Sequence, residues 1–386
     1  MRSGIGVIPP GGTDSDLLTH PMPEISALEK FPCPACGAQA EWHPRRQRLV
    51  CPFCGTESPY QADPATGVIA EIDLVTALRE LPDDQRGWQT ERRSVQCASC
   101  KAVMVYDPAR VGQNCEFCGS PALVPYEEIK APIRPQSLLP FKISRTQVHE
   151  GMRQWYAGRW FAPNALKRRA LVDQIKGLYV PYWTFDAQVH CPWRAEAGHY
   201  YYVPEQYRDK QGRWQTRNVR KVRWVPASGA LDHFFDDEPV AGTRGIARDL
   251  LKGVEPFPTR ELVPYDTSYL SGYVVEHYQV VLVDAVREAR ESMHVQLQAL
   301  CARQVPGDTY RNLQVFPSYS GETFKHILVP VWLLGYTYSS RVYQVVANGY
   351  TGEICGRYPK SAWKIAGAVL LALIVALIVI FFAEGM

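Results

Sequence analysis

Eight of the eleven cysteines fall into two copies of one pattern. Cys33-Pro-Ala-Cys36 is followed by Cys51-Pro-Phe-Cys54, and Cys97-Ala-Ser-Cys100 by Cys115-Glu-Phe-Cys118. Fourteen residues separate the CxxC pairs in each copy, and every cysteine recurs 64 positions later. Tetrahedral zinc needs four soft thiolates at about 2.3 Å, and a CxxC turn presents two of them. A hairpin between two such turns brings the other two round, giving a zinc ribbon. The spacing lies just under the usual window for such sites. Gly37, Gly55 and Gly119 follow three of the pairs, where the chain must turn its amides toward sulfur, and Lys101 holds the fourth place. Two zinc ions per chain are therefore expected, one on Cys33, Cys36, Cys51 and Cys54, the other on Cys97, Cys100, Cys115 and Cys118. Closed four-thiolate sites are structural, with no open position for substrate. An iron site of rubredoxin type uses the same knuckles, and spacing alone does not separate it from zinc.

Disulfides are the other use of such cysteines, and they need an oxidising compartment. The C-terminus argues against one. Residues 365–383 form nineteen apolar residues without a charge, and Arg357, Lys360 and Lys364 precede them. As a helix this run would reach roughly 28 Å, which reads as a single transmembrane span. The basic flank places the bulk of the chain in the cytoplasm, at the inner membrane. No signal peptide is apparent in residues 1–30. Cys191, Cys301 and Cys355 remain, and each reads as a small buried hydrophobe. His190 beside Cys191 is a poor base, because neighbours on a strand point to opposite faces.

The elements that must position these groups follow from periodicity. Residues 1–30 read as a flexible arm, 31–60 as the first ribbon and 61–94 as a helical linker, with Ile72, Val75 and Leu78 at helical spacing. The second ribbon occupies 95–122, and a domain rich in Tyr and Trp runs from 132 to 358. There Ser144 and Gln147 form a capping box for a helix reaching about Gly158. A strand is expected over 178–190, and a near copy of its Val-Pro-x-Trp core lies 149 positions later in 327–338. Leu282, Val286, Ala289, Met293, Leu297 and Leu300 mark a long amphipathic helix. Strands at 341–347 and 353–358 flank Asn348-Gly349, a hairpin signal. The expected fold class is multidomain: two tandem four-cysteine zinc ribbons, an α+β domain with a mostly antiparallel sheet, and one C-terminal transmembrane helix.

Catalytic patterns are missing. Gly-Lys never occurs, which removes the P-loop, and neither HExxH nor GxSxG is present. Two basic stretches stand out, 141–177 with the run Lys167-Arg168-Arg169, and 205–223 with seven Lys or Arg against Glu205 and Asp209. Each reads as solvated surface alone and as a face for anionic lipid if membrane-tethered. Ribbon one sets Arg45, Arg46 and Arg48 against Glu41 and Glu57, and residues 91–128 carry more acid than base, which weighs against nucleic-acid binding by these modules.

After the paired ribbons come LLPFKIS at 138–144, RWFAPNALK at 159–167, GLYVPYWTFDA at 177–187, VPYDTSYLSGY at 263–273, ILVPVWLLGYTY at 327–338 and NGYTGEICGRYP at 348–359. This succession resembles the YdjG-like family of bacterial membrane-anchored proteins with TFIIB-type zinc ribbons. The resemblance implies partners of SPFH (flotillin-like) or PspA type, which act in membrane stress, and it implies no catalytic residues. Some members carry two membrane helices where one is expected here. The reading is a non-enzymatic, membrane-tethered adaptor. A nucleic-acid-binding or transcription-linked ribbon protein is the alternative, and a thiol-based metal or redox sensor a third.

Overall fold

The computed structural model describes residues 31–58, 69, 71–80, 93–97, 103–106, 123–125, 133–163, 175–208, 212–338 and 341–384. The arm expected at 1–30 lies outside them. A small hairpin comes first: β1 (Glu41–His43) pairs antiparallel with β2 (Arg48–Val50), Glu41 opposite Val50 and His43 opposite Arg48. Next come β3 (Ile72–Asp73) and α1 (Leu74–Glu80). This helix is shorter than the sequence suggests, and its buried face is Leu74 and Ala77 while Val75 and Leu78 are exposed. The phase differs because Ile72 and Asp73 are first taken up as a strand opposite Phe324 and Thr323. A three-stranded sheet follows, in the order β5 (Val103–Tyr106), β4 (Arg93–Cys97), β6 (Leu123–Pro125).

A ten-stranded sheet forms the body. It opens with β7 (Ser137–Leu138), after which α2 (Arg145–Ala157) starts at the capping box: the Ser144 hydroxyl accepts from the Gln147 amide, and the Gln147 side chain accepts from the Ser144 N–H. Two very long strands come next, β8 (Lys176–Arg208) and β9 (Trp214–Ala241). Burial along β8 has three regimes. Leu178 to Ala187 is buried without a break, Gln188 to Ala197 alternates, and no residue beyond Gly198 is buried. Both faces are covered first, then one, then neither.

After α3 (Arg248–Lys252), β10 (Val263–Pro264) and β11 (Val274–Val275), α4 (Leu282–Ala302) lays Val286, Ala289, Met293 and Leu297 on the alternating part of β8. Cys301, not Leu300, completes its buried stripe. The chain closes with β12 (Thr309–Val315), β13 (Ser318–Tyr338), β14 (Arg341–Asn348), β15 (Ile354–Gly356) and α5 (Ala362–Glu384). The two Val-Pro copies meet as antiparallel partners: Val180 lies opposite Val329, Pro181 opposite Leu328 and Pro330 opposite Tyr179. A local two-fold relation thus runs through the centre of the sheet.

Where β8 slips register against β9, between Phe185 and Ala187, and β13 slips against β8, between Ser320 and Thr323, an ionic cluster is buried. The Lys325 ammonium lies 2.7 Å from Asp237, 3.2 Å from Glu71 and 3.7 Å from Asp186. At the other end of the sheet, the β14–β15 turn departs from the expected Asn-Gly geometry. Its left-handed residue is Gly352, with φ 84°. Asn348 is instead fully buried, its Oδ1 accepting from the Tyr350 and Thr351 amides and its Nδ2 donating to the Val254 carbonyl. Gly349 packs on Phe141 so closely that a Cβ would come within 2.6 Å, and its N–H donates to the Pro330 carbonyl.

Two expectations need correction. The protein is a mostly antiparallel β structure with few helices, not an α+β domain joined to a membrane span, because the aromatic-rich segments extend as strands of 33, 28 and 21 residues. Among the described residues no helix is long and apolar enough to cross a membrane. The transmembrane helix expected at 365–383, and the single-pass inner-membrane location that rested on it, are withdrawn.

Candidate metal centre

Two knuckles with the same backbone wiring hold the first four cysteines. The Gly37 amide donates to the Cys33 carbonyl at 2.9 Å and the Cys33 amide to the Ala38 carbonyl at 2.7 Å. In the second knuckle Gly55 donates to Cys51, and Cys51 to Thr56, both at 3.0 Å. Gly37 and Gly55 each have φ 73°, the left-handed region that a side chain resists. The β1–β2 hairpin joins the knuckles and folds one over the other.

The result is a compact set of sulfurs. Cys33 and Cys54 are 3.5 Å apart, Cys36 and Cys51 3.6 Å, and all four Sγ atoms lie within 4.8 Å of one another. A tetrahedron with arms of about 2.3 Å has edges of about 3.8 Å, so these thiols fit zinc. A disulfide needs about 2.05 Å, and all four cysteines are free. Hydrogen bonding with Thr56 lowers the Cys54 thiol to about 6. At Cys36 the Ala38 amide acts to lower the thiol, but the sulfurs of Cys51 and Cys54 outweigh it and push it up to about 12. Crowded thiols cannot all ionise alone; a bound cation supplies the compensating charge and displaces their protons. Thr56, whose hydroxyl lies 3.2 Å from Cys54 Sγ, was not among the expected site residues. Its only signal in the sequence is its place directly after Gly55.

The ribbon is seated on the body. Trp42 N–H donates to the Ser271 carbonyl at 3.0 Å, and the Ser271 hydroxyl donates to the Ala40 carbonyl at 2.7 Å. The Trp42 ring lies 4.3 Å from that of Tyr269. Phe31, Ala40, Trp42 and Leu49 belong to one buried cluster with Phe141 and Tyr179 of the body.

The second ligand set is placed only in part. Cys97 ends β4 and is fully buried in a cluster with Leu139, Leu178 and Val180, whereas Cys100, Cys115 and Cys118 lie outside the described residues. Among the described residues there is one four-cysteine group, not the two expected. Cys191 is fully buried, with its sulfur 3.9 Å from that of Cys301, while His190 points outward to Asp232 at 2.6 Å.

A wider comparison places this arrangement. The chain is similar to YdjG. It is 24% identical over 340 residues to this protein of Bacillus subtilis (strain 168), described as uncharacterized, across 87% of the present chain and 92% of YdjG. No family model matches the chain, and no solved structure does. A shared length of that extent reaches well beyond the ribbon, so YdjG resembles this protein over the sheet as well.

Proposed function

We propose that this protein is a non-enzymatic docking scaffold whose zinc ribbons recruit a protein partner of SPFH or PspA type. Phe53 carries the reading. It lies between Cys51 and Cys54 of the four-cysteine cluster and is 82% exposed, a large aromatic held outward by two neighbours that a metal would fix. An anchor fixed in this way loses little freedom on binding, and buried aromatics dominate protein interfaces. Two of the three arginines of the same ribbon are already engaged: Glu57 takes Arg46 at 3.2 Å and Arg48 at 2.6 Å, leaving Arg45. The ribbon therefore offers little free charge to phosphate, which favours a protein partner here over nucleic acid. In this reading Cys97, Cys100, Cys115 and Cys118 form a second TFIIB-type ribbon with its own zinc.

The test uses the full chain with purified SPFH and PspA proteins from the same cell. The expected result is two equivalents of zinc and capture of one of these proteins, with Phe53→Ala abolishing capture at unchanged metal content. Capture of neither protein, or capture that survives Phe53→Ala, would overturn the assignment. Iron in place of zinc would overturn the metal.

A further inference from the structure

Beyond Gly198 the sheet loses its third strand. β12 accompanies β8 only from Trp193 to Gly198, and among the described residues β9 pairs with β8 alone. From the pair His199–Arg223 to the pair Arg208–Trp214 the two strands run by themselves. At about 3.3 Å per residue this arm is about 30 Å long. None of its described residues is buried on either face. Isolated two-stranded ribbons are marginal in water. This one is braced by cross-strand contacts of guanidinium on ring: Arg208 over Trp214 at 4.9 Å, Arg220 over Tyr200 at 4.4 Å and Arg217 over Tyr207 at 5.2 Å.

Its charge is mostly of one sign. In sequence, 205–223 holds seven Lys or Arg against Glu205 and Asp209, and without this segment the chain, net +3, would be net negative. Glu205 is bound to Arg217 at 2.8 Å. Residues directly opposite one another in an antiparallel pair share a face, so the register sorts the arm. One face carries Tyr200, Tyr202, Arg208, Trp214 and Arg220, two of the segment's basic residues, and no carboxylate; Glu205 lies on the other with Arg217, Lys221 and Arg223. Tyr202 and Trp214 are 64% and 63% exposed.

We propose that this face of the β8–β9 arm is a binding site for single-stranded nucleic acid. Its ligand must offer negative charge and flat unsaturated rings along one extended track. A single strand supplies both, because its bases stack on aromatic side chains while arginines meet the phosphates. A duplex hides the base faces, and an acidic peptide leaves the tyrosines and the tryptophan unused. The proposal does not depend on the partner assigned to the zinc ribbon.

The test measures fluorescence anisotropy of labelled oligouridine and oligothymidine, each about 20 nucleotides long, with the full chain. Binding to a single strand is expected, weaker to the matching duplex, and falling steeply between about 50 and 200 mM salt. Tyr202→Ala, which leaves the three bracing contacts in place, should weaken it about tenfold. Arg208→Gln/Arg220→Gln should lower the slope of log affinity against log salt by about 1.4. Both variants change exposed side chains, and an unchanged melting temperature checks that each is folded. Any of three results would overturn the proposal: no binding to either strand, equal binding by the aromatic variant, or binding to vesicles of anionic phospholipid without binding to oligonucleotide.

Discussion

Lys325 and His326, neighbours on β13, are the residues on which single substitutions should tell most. Lys325 is held by Asp186 and Asp237, whose side chains are 5% and 11% exposed, and by Glu71. Burial acts to lower its pKa, but Asp237 and Asp186 outweigh that and raise it. Lys325→Met would leave two buried carboxylates without a counter-charge, and breaking such a cluster costs about 3–5 kcal/mol. Urea unfolding at neutral pH should show that loss; a change below about 1 kcal/mol would mean that the cluster does not depend on the Lys325 charge. His326 is buried, stacked 4.8 Å from Trp183, with Nδ1 2.7 Å from the Ile133 carbonyl. Burial lowers its pKa from 6.5 to about 4. The folded imidazole stays neutral where the unfolded one takes a proton, so the unfolded state binds more protons across that window. Stability should rise with pH from about 4 to 6.5, and be lost as pH falls through it, by about 3 kcal/mol for this group. His326→Gln should flatten part of that slope in unfolding midpoints taken across the window. Neither environment is hinted at in the sequence, since Glu71, Asp186, Asp237 and Lys325 lie far apart in the chain and meet only through the register slips.

Elements differ in how plainly the residues announce them. The start of α2 is legible because Ser144 and Gln147 satisfy each other's backbone within four residues. The stripe of α4 is legible because its face is periodic over five turns. α1 is not, because pairing of Ile72 with Phe324 resets the phase of the helix that follows. Nor is the extent of β8, since Tyr200–Tyr202 and the arginines opposite form a strand with no buried face to impose alternation. The metal knuckle stands at the legible end: the cysteine spacing gives the ligands and the glycines give the turns. Gly55 has open space around its Cβ position, so Gly55→Ala tests backbone conformation alone. A left-handed residue with a side chain costs about 1–2 kcal/mol, and this should weaken zinc binding roughly five- to thirtyfold. Competition with a chromogenic chelator would measure it. An unchanged affinity would show that the knuckle tolerates another backbone path.

For the molecule as a whole, the decisive fact is that the ribbon shares its buried cluster with the body through Trp42, Phe141 and Tyr179. Metal binding and folding are then one equilibrium. Removing zinc with a chelator should lower the melting temperature of the entire protein in one transition. A separate early transition, with the main one unmoved, would show the ribbon to be independent. This coupling could not be read from the sequence, where Ser271 and Tyr269 have nothing to mark them as a seat for residues 31–58. The turn at Asn348 has a bearing on how the protein ages. Asn-Gly bonds deamidate when the glycine nitrogen attacks the asparagine side chain. Here that nitrogen is committed to Pro330, and the amide group is held on both sides by Val254, Tyr350 and Thr351. The bond should be inert while the chain is folded and labile once it opens. Accumulated isoaspartate at 348, read by peptide mapping of stored samples, would serve as a clock for the time each molecule has spent unfolded.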